Sequence, residues 1–85
     1  MSEIKSYKDL LIWEKGIEIV ALTYKIVSSF PKDELYALSS QIKRSSISIS
    51  SNIAEGCGRN SDKEFLHFLH IALGSAFELE TQLLI

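Results

Sequence analysis

The chain has 85 residues, of which 46% are hydrophobic and 24% charged, and its formal net charge is −2 at pH 7. A chain this short buries only about 60–65% of its unfolded surface on folding, so we expect a single domain over residues 1–85 that shares apolar surface with a partner. The acidic balance excludes a general attraction to phosphate backbones or anionic lipids, and the single cysteine, Cys57, excludes an internal disulfide framework.

The N-terminal segment, residues 1–10, lacks the apolar core of a signal peptide. Elsewhere no apolar run approaches the roughly 18 residues that a membrane-spanning helix requires. We therefore expect a cytoplasmic protein with no membrane partner.

Two apolar stripes with helical spacing run through the first third of the chain. The first stripe, at intervals of three and four residues, consists of Leu10, Trp13, Ile17, Val20, Tyr24 and Val27. The second, which recurs every seven residues, consists of Ile12, Ile19 and Ile26. Ser6 or Asp9 can cap the start of this helix, and Phe30-Pro31 ends it. The pattern predicts a helix over about residues 8–29 with two apolar faces, which need two packing partners.

The stretch from Ser45 to Ile53 reads SSISISSNI and alternates serine with isoleucine, as a half-buried strand does. A helical pattern nevertheless continues through it on one face, which consists of Leu35, Leu38, Ile42, Ser45, Ser46, Ile49 and Ile53. A single strand among helices would have no neighbouring strand to pair with its backbone groups. We therefore predict a helix over about residues 32–55, with Gly56 as a left-handed cap.

A capping box opens the third helix, because Ser61 and Glu64 can each satisfy a free backbone amide of the first turn. The apolar face of this helix consists of Phe65, Phe68, Leu69, Ala72, Ala76, Leu79 and Leu83, flanked by Leu66, Leu73, Phe77 and Leu84. The arc covers about half of the circumference, too much for one neighbouring helix to bury. The pattern predicts a helix over about residues 62–85 and an up-down-up arrangement in which a fourth element is missing.

Short motifs along nearly the whole chain carry a family resemblance. They are residues 7–10 (YKDL) with Trp13 and Lys15, 30–32 (FPK), 38–45 (LSSQIKRS), 51–56 (SNIAEG), 58–59 (GR), 63–65 (KEF), 72–75 (ALGS) and 78–83 (ELETQL). In this order they resemble the small four-helix-bundle proteins encoded by open reading frames in the intervening sequences of bacterial 23S rRNA genes. The resemblance implies an all-α, antiparallel four-helix bundle, of which three helices are present and the fourth is truncated. It also implies a ring-like homo-oligomer, a homopentamer, without known catalytic activity.

A related accessory protein of diversity-generating retroelements resembles the same bundle and binds a reverse transcriptase and nucleic acid. The alternative that this resemblance implies is a nucleic-acid-binding accessory factor with an RNA, DNA or reverse-transcriptase partner. The candidate contacts to nucleic acid or to another anion are Lys43, Arg44, Arg59 and Lys63. A solvated or ion-paired surface is the competing interpretation, because binding a phosphate backbone needs several cations acting together.

The spacing Glu64-x-x-His67-x-x-His70 places three possible metal ligands on one side of a helix. A di-iron bundle needs a second such motif and two further inward glutamates, and neither is evident in the sequence. His67 also projects almost opposite to the Phe65 face. We therefore expect surface histidines, with no metal, no cofactor and no catalytic residues.

The sequence as a whole predicts a non-enzymatic oligomeric scaffold or adaptor whose surplus apolar surface builds a homo-oligomer. The candidate interface consists of Ile12, Ile19, Ile26, Leu66, Leu73 and Phe77. Structural roles are expected for four further residues, Asn52, Glu55, Gly56 and Gly58. The two polar members of this set are predicted to hydrogen-bond across helices or chains, and the glycines to form a tight turn.

Overall fold

The structure is a computed structural model that describes residues 6–84, without the side chains of residues 32–34. Within these residues a 3-10 turn at Tyr7–Asp9 precedes three α-helices, α1 at Leu11–Val27, α2 at Lys32–Cys57 and α3 at Asp62–Leu84, and there is no strand. The all-α fold class and the three helices are therefore confirmed. The described part does not include residues 1–5. It also does not include Ile85, where the third helix was predicted to end. No described helix combines the length and hydropathy needed to cross a membrane.

Helix α2 contains the whole of the serine- and isoleucine-rich stretch 45–53, so the prediction of a helix there is confirmed. Its inward face buries Ser46 and Ile49, whereas Ile47 is exposed. Burying a serine hydroxyl is costly unless the hydroxyl is hydrogen-bonded. Here the Ser46 hydroxyl donates to the Lys43 carbonyl at 2.8 Å, one turn back in the same helix. A small polar side chain can therefore fill this tight interface without an unpaired group.

Helix α1 packs on α2 through a face that lies between the two predicted stripes. The residues that it buries are Gly16, Thr23 and Val27. A Cβ added at Gly16 would lie 3.2 Å from the Cβ of Ser50, so α1 and α2 approach closely at this point. The second stripe therefore lies beside the contact. The first stripe borders it: Val27 is buried there, whereas Ile17 and Tyr24 are exposed.

Helix α2 lies between the other two helices and packs against both, while α1 and α3 have no close backbone contact within residues 6–84. Gly16 lies against Ser50, and the Tyr24 ring lies beneath the Lys43 ammonium. Residue numbers thus rise along α1 as they fall along α2, so the two helices run antiparallel. The contacts between α2 and α3 show the same reversal. The buried core follows α2 and consists of Val27, Ile42, Ile49, Ile53, Ala72 and Leu79.

The helix starts differ in how they are capped. Helix α1 begins at Leu11, later than predicted, and its N-cap is Leu10, which provides no side-chain hydrogen bond; the prediction that Ser6 or Asp9 caps it is therefore wrong. The Ser6 hydroxyl instead accepts from the Lys8 N–H at 3.2 Å in the preceding 3-10 turn. At the start of α3 the Ser61 hydroxyl accepts from the Glu64 N–H at 3.1 Å, which is one of the two bonds of the predicted capping box.

Gly56 is not a left-handed cap, and that prediction is wrong. No glycine among residues 6–84 has a positive φ. Helix α2 continues to Cys57, and Gly58 caps it with a φ of −79°. Gly56 instead marks a close crossing of α2 and α3, because a Cβ added there would lie 2.8 Å from the Cβ of Phe68. Packing against α3, not backbone conformation, accounts for a glycine at this position.

Candidate interaction surface

A groove with apolar walls runs between α1 and α3 and has α2 as its floor; we call it the apolar groove. It is lined by Leu11, Ile12, Lys15, Gly16 and Ile19 of α1, Ile49 and Ile53 of α2, and Leu69, Ala72, Leu73 and Ala76 of α3. Lys15 is the one charged residue in this lining, and its ammonium pairs with Glu18 at 3.3 Å. The groove forms because α1 and α3 both pack on α2 and do not cover each other.

The six residues predicted to form an oligomer interface are all exposed. They are Ile12, Ile19 and Ile26 on α1, and Leu66, Leu73 and Phe77 on α3, with exposed fractions from 38% at Ile19 to 60% at Phe77. Three of them, Ile12, Ile19 and Leu73, line the apolar groove. The other three lie four or seven residues away from these on the same helices, which places them on the same faces. Each wall of the groove is therefore part of a longer apolar edge.

Outside the groove, hydrogen bonds join α2 to α3. The Ser45 hydroxyl donates to the Glu78 carboxylate at 2.8 Å, and the Ser75 hydroxyl donates to the Ser48 hydroxyl at 2.8 Å. Asn52 donates to the Ser48 hydroxyl at 2.9 Å within α2, so it supports this pair without reaching α3 itself. Sequence reasoning missed these bonds. The available signal was the spacing, because Ser45 and Ser48 on α2 are three positions apart, as are Ser75 and Glu78 on α3. On antiparallel helices the first residue of one pair then faces the second residue of the other.

Comparison with protein families identifies the sequence. The family model described as 23S rRNA-intervening sequence protein matches residues 8–85. The chain belongs to this family. The resemblance inferred from the short motifs is thereby confirmed. A comparison with curated proteins gave no match. The matched region includes all three helices, so the apolar groove and both of its walls lie within the family's domain.

In this member of the intervening-sequence family, the four predicted anion contacts do not converge. Arg59 pairs with the Glu55 carboxylate one turn away, and its guanidinium lies 4.9 Å from the centre of the Phe68 ring. Glu55 therefore makes a local ion pair, not a bond to another helix of this chain. The Lys43 ammonium lies 5.0 Å from the centre of the Tyr24 ring. Lys43 is about 21 Å from the end of α2 at 1.5 Å per residue, so the two predicted pairs of cations are far apart.

The intervening-sequence protein has a second hollow, where the end of α1 meets the first half of α2. It is lined by Tyr24, Val27, Ser28, Phe30, Tyr36, Ser39 and Lys43. Three aromatic rings and one ammonium in a single hollow suit a planar group that carries negative charge. The hollow could not be predicted from spacing along one helix, because α1 and α2 supply different parts of it.

The predicted surface histidines lie on α3. Both His67 and His70 are exposed, and the His67 ring packs edge-on against Phe68 with ring centroids 5.4 Å apart. The described residues contain no group of three or more His, Cys, Asp or Glu side chains placed to hold a metal ion. Among the described residues, the other helices therefore place no further metal ligands beside the two histidines.

Proposed function

We propose that this chain is a non-enzymatic helical scaffold that functions as a homo-oligomer. The observation that carries the proposal is the continuity of its exposed apolar surface, with one apolar edge on α1 and another on α3. Single exposed apolar residues are ordinary on soluble proteins, whereas contiguous apolar patches mark interaction sites. Self-association covers both edges.

The family resemblance supports a finer form of the proposal. In this form the three helices fill three of the four positions of an antiparallel four-helix bundle, the apolar groove is the fourth position, and five chains form a ring. The contacts of α2 with both neighbours, and the absence of close backbone contact between α1 and α3 within residues 6–84, support this form. In a four-helix bundle, two helices that lie diagonally opposite each other both pack against the helix between them and not against each other.

Replacing Ile19 by aspartate is expected to dissociate the oligomer and leave the helices intact. Ile19 is exposed in the single chain, so an aspartate there is solvated in the monomer. In the assembly the same carboxylate is buried without a partner, which is strongly unfavourable. Light scattering behind size exclusion is expected to show a multiple of 9.6 kDa for the wild type and 9.6 kDa for the variant.

The control for this experiment is Ala21→Asp, at an exposed position of α1 that does not line the groove. Its mass is expected to equal that of the wild type, and far-UV circular dichroism is expected to show equal helicity for all three proteins. An unchanged mass for Ile19→Asp contradicts the interface assignment. A wild type that remains at 9.6 kDa at high micromolar concentration contradicts the scaffold itself.

Binding of single-stranded nucleic acid is the second candidate function, and the hollow beside Lys43 favours it. Tyr24 and Tyr36 offer exposed rings next to an ammonium, and proteins that bind single strands combine base stacking with a cationic surface. Arg44 is exposed on the same helix, next to Lys43 in sequence. The net charge of −2 and the distance to Arg59 make this candidate weaker than the scaffold.

A salt titration tests this second candidate. Binding of a labelled oligonucleotide is expected to weaken steeply as salt rises, because each phosphate contact releases a counterion. A Lys43→Gln/Arg44→Gln variant is expected to lower the slope of log affinity against log salt by about two. Lys25→Gln, at an exposed position on α1, is the matched control. No retention of RNA or DNA at low salt dismisses the candidate.

A further inference from the structure

We infer that the hollow where the end of α1 meets the first half of α2 binds one small aromatic anion of the nucleoside monophosphate class. The anionic group of the ligand pairs with the Lys43 ammonium, and its ring stacks on Tyr36. The inference goes beyond the scaffold, because the hollow shares no lining residue with the apolar groove. It uses the same hollow as the second candidate function, but its ligand is a free molecule and not a strand.

The positive charge in the hollow comes from Lys43. This residue is half-buried, and its ammonium lies 5.0 Å from the centre of the Tyr24 ring. The ion pairs that the described side chains form do not include it. A phosphate or carboxylate that reaches the ammonium adds a charge-assisted hydrogen bond, and a charge pair is stronger at a partly buried position than in open water. The hollow therefore favours a ligand that carries negative charge.

The end of α1, which borders the hollow, does not cancel this preference. The last carbonyls of a helix carry partial negative charge and repel anions when they are free. In this chain the carbonyls of residues 24–27 all accept hydrogen bonds from N–H or hydroxyl groups of residues 28–30, at 2.6–3.1 Å. The negative end of the helix is thus already bonded within the protein, and Lys43 sets the sign of the charge that a ligand meets.

The size and the walls of the hollow suit one flat ring. Its volume is about 420 Å³, within the range of about 300–1,000 Å³ that is usual for small-molecule sites. Val27 and Phe30 provide an apolar surface inside it. The Tyr36 side chain is 77% exposed, so its ring is not used by the packing of this chain. Tyrosine rings stack on bases and on other aromatic groups.

Three residues of α2 form a row along one side of the hollow. Tyr36, Ser39 and Lys43 are separated by three and four positions, which places them on the same face of the helix. The row extends over about 10 Å at 1.5 Å per residue, so the ring and the anionic group of the ligand are joined by a spacer. In a nucleoside monophosphate the sugar is this spacer, and its hydroxyls can bond to Ser39. A strand needs a cation for each successive phosphate, whereas the lining of the hollow contains one.

Calorimetric titration of the whole chain with adenosine monophosphate tests the inference. We expect saturable binding of one molecule per chain, and much weaker binding of adenosine, which lacks the phosphate, and of inorganic phosphate, which lacks the ring. Lys43→Gln is expected to weaken binding about tenfold or more. Tyr36→Ala is expected to weaken it about 5- to 150-fold, and Tyr36→Phe, which keeps a ring, is expected to bind more tightly than Tyr36→Ala.

Lys25→Gln is the matched control, because Lys25 is exposed on α1 and does not line the hollow. Its affinity for adenosine monophosphate is expected to equal that of the wild type. Far-UV circular dichroism checks that all variants keep their helices. A second measurement needs no variant: in the wild type, the backbone amide NMR signals of residues 24–28 and 36–43 are expected to shift on titration, and those of residues 62–70 on α3 are expected to stay in place.

The outcomes separate this inference from both candidate functions. Binding that depends on Lys43 and Tyr36, with a short oligodeoxyadenosine strand no tighter than the free nucleotide, supports the inference. Absence of binding at millimolar adenosine monophosphate overturns it, as do shifts confined to α3. A strand that binds when the free nucleotide does not also overturns it and supports the second candidate function. The scaffold is judged separately, by the mass of the wild type and of Ile19→Asp.

Discussion

Replacing Ile42 by alanine is expected to lower the free energy of unfolding by about 2–5 kcal/mol. Ile42 has 0% exposure and belongs to the core that runs along α2. Removing three carbon atoms there loses their transfer free energy and leaves a cavity that the neighbouring helices fill only in part. Since a small domain has only about 5–15 kcal/mol of stability, this variant is expected to be partly unfolded at physiological temperature. Urea unfolding followed by far-UV circular dichroism measures the loss.

Ile47→Ala is the matched control for this experiment. Ile47 lies on the same helix, five positions away, but is 41% exposed. The expected loss is about 1 kcal/mol or less, because much of the side chain is already in water. Both variants and the wild type are measured at one protein concentration, since self-association contributes to apparent stability. Equal losses for the two variants contradict the orientation of α2.

Replacing Gly56 by alanine is expected to destabilise the protein by about 1–3 kcal/mol, although glycine to alanine usually stabilises a helix. The added Cβ would lie 2.8 Å from the Cβ of Phe68 and 3.3 Å from the Phe65 carbonyl oxygen. Neither of these atoms is the end of a flexible side chain, so α3 must move away from α2. Chemical denaturation with the same probe gives the sign and the size of the effect.

Gly74→Ala provides the opposite expectation within the same chain. A Cβ added at Gly74 meets nothing within 4 Å in this structure, so the change is expected to stabilise α3 by about 0.5–1 kcal/mol. Gly56→Asn distinguishes close packing from a left-handed cap, because a cap tolerates asparagine whereas a tight crossing rejects its larger side chain. Stabilisation by Gly56→Ala contradicts the close crossing of α2 and α3.

The helices of this protein could be predicted from its sequence because their apolar residues repeat with helical spacing over long segments. The stretch 45–53 illustrates the strength of that signal, since its local alternation resembles a strand and it nevertheless forms part of α2. The ends of the helices were less predictable. Gly56 has the residue type and position of a cap, but its role is decided by Phe68, which belongs to another helix.

The candidate interaction surface was predictable in its composition and not in its shape. The seven-residue repeat of Ile12, Ile19 and Ile26 identifies an apolar edge, and the structure leaves this edge exposed. Spacing alone does not say that Leu73 on another helix lies across a groove from it. For the basic residues even the grouping was not predictable. The motifs suggested that Arg59 joins the other cations in one anion-binding surface, but it pairs with Glu55 and lies over the Phe68 ring.

By itself, the sequence determined that the chain forms helices, which residues share each helix face, and to which family it belongs. Those properties depend on residue types at regular spacing along one segment. Only the tertiary structure decided that α1 turns Gly16 and Thr23 toward α2 together with Val27, which leaves the second stripe and part of the first exposed beside the contact. The physical reason is that the closest approach of two helices is set by the side chains of both partners together, and that choice determines which apolar edges border the groove.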